Sequence, residues 1–261
     1  INTGDSKWHI RIEAFDYVNT IPRNFDGALR RSAGMIIRSA SGNFQQADLN
    51  ALSHYCSIKP TIVLGHPLEG LKTGCAGLDS YFASGLAMHH LMKHGHRRIG
   101  LITGPAELPY SQERLDGYRA ALARAGIEFD GRLVRFGMMD EESGTGHGGA
   151  LLDLPDRPTA IFAGSDLQAH GVYGAARSRR ISIPEDLSVV GFDNLQSGTW
   201  CSPTLTTVNQ PLEEMGGLAI RTLLALAHHE EGESGQRVEL ATTLIVRDST
   251  APLRRAPARA R

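Results

Sequence analysis

Arg98-Ile99-Gly100-Leu101-Ile102-Thr103-Gly104-Pro105 and, a few residues on, Ser111-Gln112-Glu113-Arg114-Leu115-Asp116-Gly117-Tyr118-Arg119-Ala120-Ala121-Leu122 decide how this chain folds. The first piece is short, apolar and broken by Gly-Pro, so it reads as a buried strand. The second carries apolar residues at Leu115, Tyr118, Ala121 and Leu122, the spacing of an amphipathic helix, and Gly126 ends it. The same alternation extends both ways. Upstream, Thr61-Ile62-Val63-Leu64 is a strand ended by Gly65. Asp79 or Ser80 caps a helix that runs to about His94 and stops at Gly95. Downstream, Arg132 to Phe136 is a strand, and a glycine-rich stretch from Gly144 to Gly149 leads into a short helix. Thr159 to Ala163 is a strand, and Asp166 opens a helix toward Arg179. Leu187 to Phe192 is a strand, followed by a long loop from Asp193 to Pro203. Pro211 begins a helix ending near His229, Glu230 to Gln236 is a polar connection, and Val238 to Val246 is a last strand.

Strands separated by helices imply βαβ units and a parallel sheet, an α/β fold. Ligands of open parallel sheets sit at the carboxyl ends of the strands. That rule directs attention to His66, Asp79, Gly104 to Tyr110, Ser165 with Asp166, and Asp193. The first 57 residues are less regular. Trp8 to Tyr17 reads as a strand, Gly34-Met35-Ile36-Ile37 as another, and Gln45 to Tyr55 as a helix.

The chain has 261 residues, with 27 Lys plus Arg against 28 Asp plus Glu, a formal net charge of −1. At 41% hydrophobic and 21% charged it has the composition of a globular protein. No apolar run approaches the roughly 18–20 residues that span a bilayer, so no membrane partner is expected. The near-neutral balance argues against these residues gripping nucleic acid, which needs a concentrated basic surface. The basic tail at 251–261, with Arg254, Arg255, Arg259 and Arg261, reads as a solvated disordered end. Cys56, Cys75 and Cys201 are scattered and odd in number, which excludes a disulfide scaffold and favours a reducing compartment.

Catalytic signatures are absent: there is no GxSxG elbow, P-loop or HExxH. His90 and His94 stand four apart on one helix, but no Asp, Glu or Cys completes a metal set, so no metal and no cofactor is expected.

The order of further segments is more specific. Pro184-Glu185-Asp186-Leu187-Ser188-Val189-Val190-Gly191-Phe192-Asp193-Asn194 is followed by Pro203-Thr204-Leu205-Thr206-Thr207-Val208, then Gln210-Pro211 and Glu214-Met215-Gly216. Last comes Leu244-Ile245-Val246-Arg247-Asp248-Ser249-Thr250. With the opening pair of segments, this chain resembles the effector-binding core of the LacI/GalR family of bacterial transcription regulators over roughly residues 60 to 250. The resemblance implies a type I periplasmic-binding-protein fold: two Rossmann-like lobes with parallel sheets and a ligand cleft between them. It places the amino-terminal lobe at 1–78 plus 209–235 and the carboxyl-terminal lobe at 79–208 plus 236–250.

By that resemblance Arg114 matches a ligand-contacting arginine, whose fork of donors suits paired hydroxyls or a carboxylate. Its alternative is a surface salt bridge with Asp116 or Glu113. Asp193 matches a cleft aspartate accepting from two hydroxyls, or else caps the loop that follows. Ser165 and Asp166 stand at a contact position, with Asp166 equally readable as a helix N-cap. Tyr110 and Met139 fall at cleft-lining positions. His66 ends an amino-lobe strand, where a structural role competes with binding, and Phe82 lines the cleft or belongs to the core.

The implied partners are a small-molecule effector, a sugar or sugar derivative, and a second copy in a homodimer. Operator DNA is reached only through an N-terminal helix-turn-helix not contained here. The implied location is cytoplasmic, and no reaction is expected. The rival reading is a periplasmic sugar-binding protein of a transport system. The family's opening strand and helix are not recognisable near Ile1.

Overall fold

The computed structural model describes residues 2–3, 6–7, 32–39, 46–68, 71, 73–227 and 237–253. The expected strand from Trp8 to Tyr17 lies outside them, as does the tail from 254. Two short strands, β1 (Asn2–Thr3) and β2 (Ser6–Lys7), pair antiparallel. There follow β3 (Met35–Ser39), α1 (Gln46–Ile58), β4 (Thr61–Gly65) and β5 (Gly74–Gly77). Next come α2 (Ser80–Lys93), β6 (Ile99–Thr103), α3 (Pro109–Arg124), β7 (Val134–Phe136) and α4 (Glu141–Leu152). The chain continues through β8 (Ala160–Ala163), α5 (Asp166–Ser178), β9 (Ser188–Asp193) and β10 (Thr206–Asn209). It closes with α6 (Leu212–Ala227), β11 (Arg237–Glu239) and β12 (Leu244–Ile245).

Two larger sheets result. One has four strands in the order β11-β5-β4-β3, all parallel. The other has six, β12-β10-β9-β8-β6-β7, parallel except for β12, which runs antiparallel to β10. The central strands of the larger sheet are buried on both faces, with β6 and β8 fully covered, which is why they read as continuous apolar runs. Helices α2 and α3 cover one face around Leu91, Leu101, Tyr118, Phe162 and Phe192. Helices α4 and α5 cover the other around Ile102, Leu151, Ile161, Val172 and Val189. The smaller sheet buries Met35, Val63 and Cys75 against Leu52 of α1.

Local chemistry explains the boundaries. Asp79 caps α2, its carboxylate accepting from the Phe82 N–H at 2.8 Å. Gly95 and Gly126, with φ of 91° and 65°, follow the ends of α2 and α3 in the left-handed conformation that glycine takes without a steric penalty.

Several expectations need correcting. The glycines from 144 to 149 lie inside α4 rather than before it. A Cβ on Gly144 would collide with the Gln168 backbone, so these glycines let α4 and α5 approach closely. The long loop after β9 contains a helical turn at Gln196–Thr199. Val238 to Val246 is not one strand: β11 belongs to the small sheet and β12 to the large one. Residues 237–239 therefore pair within the sheet assigned to the amino-terminal lobe, whereas the sequence reading gave 236–250 to the carboxyl-terminal lobe. The expected alternation over 238–246 is absent: β11 is exposed along its length, β12 is half-buried, and the chain crosses between the sheets in between.

Residues 248–253 are docked onto the large sheet, so the expected tail does not begin at 251. The Ser249 hydroxyl donates to Val189 O at 2.6 Å and accepts from Thr206 N at 2.8 Å. Leu253 N donates to His94 O. His90 Nε2 meets Thr250 Oγ1 at 2.8 Å, and His96 Nε2 meets Ala251 O at 3.1 Å. Burial pulls His90 down from 6.5 to about 4, with positive neighbours adding to the effect. The folded value lies below the unfolded one, so stability present above pH 6.5 is lost as the pH falls toward 4. His90 alone should remove about 2 kcal/mol between pH 7 and pH 5. Urea melts of the parent and of His90→Gln check this: the drop should shrink by that amount in the variant. An unchanged drop would mean that His90 is not the titrating group.

Candidate functional site

The carboxyl ends of β4 and β9, in different sheets, carry His66 and Asp193, with helix α3 between them. Arg114 projects from the second turn of α3 and is only 6% exposed. Its guanidinium lies 4.0 Å from the Phe192 ring centre and 5.1 Å from that of Tyr110. This is cation–π packing, which holds the fork in one orientation. Its Nε and Nη1 are buried with no hydrogen-bond partner among the described residues. Burial pulls the guanidinium's pKa down, while Asp193, Tyr110 and Glu113 counter it. A surface bridge to Asp116 is therefore not what Arg114 makes; Asp116 pairs with Arg119 instead.

Asp193 ends β9 with a φ of 112°, and Asn194 follows at 59°. Non-glycine residues in this region carry strain of about 1–3 kcal/mol each, sustained only where neighbours fix the backbone. Here Asn194 Nδ2 donates to Asn209 Oδ1 at 3.0 Å. Arg247 Nη2 donates to Asn194 Oδ1 at 2.6 Å. Desolvation pushes the Asp193 carboxyl up to about 7; Asp166 adds to the rise, and Arg114 and Arg38 oppose it. A carboxyl whose pKa rises on folding favours acid, so Asp193 opposes the histidine effect above. It is common to both proteins in the His90 comparison and cancels there.

His66 is 6% exposed and its ring stacks on Tyr110, with centres 6.1 Å apart and planes 22° from parallel. Desolvation, aided by Arg237 and Arg114, lowers His66 to about 4 and keeps it neutral at pH 7. Its Nε2 stands 3.2 Å from Glu113 Oε2, which with a neutral ring is a polar contact rather than an ion pair.

Gly104 is the corner around which the cleft-lining groups gather. A Cβ there would lie 2.7 Å from Ser111 Oγ, 3.0 Å from Tyr110 Cε2 and 3.2 Å from Met139 Cε. Met139 thus joins Tyr110 at the end of β6, and the fully buried Ser111 Oγ has no hydrogen-bond partner among the described residues.

The remaining expected residues hold local structure beside the site or face solvent. Ser165 is the N-cap of α5, its hydroxyl accepting from Gln168 N at 3.0 Å. Asp166 is the first residue of that helix rather than its cap. It is fully buried: Oδ1 accepts from Thr207 Oγ1 at 2.6 Å and Oδ2 from Leu195 N at 2.7 Å. Both oxygens hold the turn that follows Asp193. Phe82 is 54% exposed on the first turn of α2, so it is not core. Among the described residues no group of three or more potential metal ligands occurs.

Arg38, Arg237, Glu113 and Ser111 belong to this neighbourhood but were not singled out from sequence. Arg38 and Arg237 sit on short strands of the small sheet with no local motif around them. Ser111 had a usable signal: it lies three residues before Arg114, on the same helix face.

Residues 88–250 match the family model of the periplasmic binding protein-like domain. The HTH-type transcriptional repressor CytR of Escherichia coli (strain K12) is 37% identical over 197 residues, 76% of this chain and 58% of that protein. The ribose operon repressor of the same organism is 36% identical over 171 residues, 66% of this chain and 52% of that protein. The chain thus spans a little over half the length of these curated relatives. Among solved structures, the transcription regulator CcpA of Lactococcus lactis superposes with a TM-score of 0.77 at 26% identity, covering 86% of this chain and 82% of that one. A structure described as the transcriptional regulator CelR-cellobiose complex gives 0.76 at 33% identity, covering 85% and 68%. With the two sheets, their crossings and these matches together, the chain belongs to the LacI/GalR family of transcription regulators and forms its periplasmic-binding-protein-like core.

Proposed function

We propose that this chain senses a small polar effector, a sugar or sugar derivative, bound between two lobes. One lobe is built on the four-stranded sheet with α1 and α6, the other on the six-stranded sheet. The chain would cross between them after β5, β10 and β11. The observation that carries the reading is the buried Arg114 with unpartnered donors, in the electrostatic reach of Asp193 at a strained strand end. Donor and acceptor groups fixed side by side suit vicinal hydroxyls. The cobound cellobiose named for one relative supports a sugar over other polar molecules. Closure on the effector would shift a two-state population and, through it, DNA affinity.

DNA contact would come from a helix-turn-helix segment, the element for which one relative is named, and not from the residues described here. The protein would act in the cytoplasm and catalyse no reaction. The repressor names of the relatives favour this over a transport binding protein. Thermal-shift measurements against pentoses, hexoses, disaccharides and nucleosides test it. One class should raise the melting temperature by several degrees at millimolar concentration. Stabilisation by none of them would count against a sugar effector.

The finer reading includes a homodimer. Trp200 is 74% exposed on the loop after β9, and Leu167 at the start of α5, which packs against that loop, is 39% exposed. Large apolar groups left in water favour association. Trp200→Glu should shift the species measured by light scattering from dimer toward monomer, with dissociation strengthened about tenfold or more. An unchanged dimer would remove this surface from the interface.

A further inference from the structure

One carboxylate on the large-sheet side touches two separate elements of the small sheet. Glu113 lies on α3, which packs on the six-stranded sheet through Leu115 and Tyr118. Its Oε2 is buried and stands 3.2 Å from His66 Nε2, at the carboxyl end of β4, a close polar contact without hydrogen-bond geometry. Its Oε1 is 3.9 Å from Arg237 Nη2 on β11. Arg237 is itself held, its Nε 3.0 Å from Glu239 Oε1. Burial raises the Glu113 pKa, with Asp79 and Glu239 adding to the rise and Arg237 countering it. The carboxylate is therefore partly withdrawn from water and is compensated by Arg237 across the gap and by the Ser80 backbone N–H on its own side. His66 is neutral, so Arg237 supplies the only opposite charge across this gap among the described ion pairs of Glu113.

We propose that Glu113 is a clasp between the two lobes: its ion pair with Arg237, with the packing of the same carboxylate against His66, holds the bridged arrangement without any effector. Every separation of the two sheets at this end must break both contacts at once, because both oxygens belong to one side chain. Contacts within either lobe survive such a motion; this pair does not. Glu113 acts here as a positioning residue. It sets where the unliganded population lies, and an effector then binds a state already partly formed. Loss of the clasp should change the ratio of separated to bridged molecules by roughly two- to fivefold, the range of partly exposed ion pairs. Apparent effector affinity would fall with the bridged fraction. The proposal does not depend on which effector is bound.

Electron–electron distance measurements on the effector-free chain test it. Spin labels at Ser53→Cys on α1 and Arg177→Cys on α5, both exposed positions, report the separation of the two sheets. The native cysteines are replaced in this background. The expected result is that Glu113→Gln moves weight to longer distances and Arg237→Gln does the same. The double variant should go no further than either single one, because both break one bridge. Raised salt should move the parent in the same direction. Glu128→Gln, an exposed carboxylate beyond α3, should leave the distribution unchanged. Superimposable distributions in the parent and in Arg237→Gln overturn the proposal even if Glu113→Gln folds poorly. Two single effects that multiply in the double variant overturn it as well.

Discussion

Arg114→Met is expected to weaken effector binding about 100-fold or more while leaving the protein at least as stable as the parent. Arg114 is 6% exposed, stacked on Phe192, and has two buried donors without partners. A buried charge whose donors lack partners is a desolvation cost in the unliganded protein, and an apolar side chain of similar volume removes that cost. In the complex the same donors would meet ligand oxygens. Losing two charge-assisted hydrogen bonds should weaken binding about 100-fold or more. One consequence is local. Asp193 loses a cation that lowers its pKa, so its carboxyl should rise further above 7. The stability gain should then be largest below neutral pH, where Asp193 is protonated. Melting curves at two pH values with calorimetric titration check both halves. A variant that melts well below the parent would mean that Arg114 is mainly structural.

Gly117→Val should cost about 3 kcal/mol or more, or prevent folding, without touching the cleft. A Cβ at Gly117 would collide with the Tyr81 carbonyl oxygen and lie 2.9 Å from Ser84 Cβ. The first of these is backbone of α2 and cannot turn aside. Helices α2 and α3 would have to separate, pulling Tyr118 from its buried site, where its hydroxyl donates to Ile99 O at 2.8 Å. Gly146→Ala is the contrast: nothing lies within 4 Å of a Cβ there, and the position is inside α4. It should stabilise by roughly 0.5–1 kcal/mol, the helix propensity difference. Urea melts of the two variants measure the difference. Equal effects would show that the helix approach does not select glycine.

These two positions also explain what could be read from sequence. Arg114, Gly117 and Tyr118 lie within five residues, each fixed by a different constraint: a buried charge with unpartnered donors, a helix approach and a buried anchor. Such a run is specific because no single pressure produces it. Large-sheet strands such as Ile99–Thr103 and Ala160–Ala163 were legible because both of their faces are buried. Strand β5, Gly74-Cys75-Ala76-Gly77, was not, because its side chains are too small to make an apolar run. Gly77 must be small, since a Cβ there would collide with Gly65 O of the neighbouring strand. That Asp166 opens α5 was legible, but its buried side chain was not, because its partners Thr207 and Leu195 are 41 and 29 residues away. Arg38 and Arg237 reach the site from short strands of the other sheet, and only the assembled topology brings them there.

The most direct test of the account is calorimetric titration of the parent, Arg114→Met and Asp193→Asn with whichever sugar stabilises the parent. The account predicts saturable one-to-one binding by the parent and affinity lowered at least about 100-fold in Arg114→Met. Asp193→Asn should also bind more weakly, since an amide offers one oxygen where a carboxylate offers two. Undiminished binding by both variants would contradict it and place the effector away from Arg114 and Asp193.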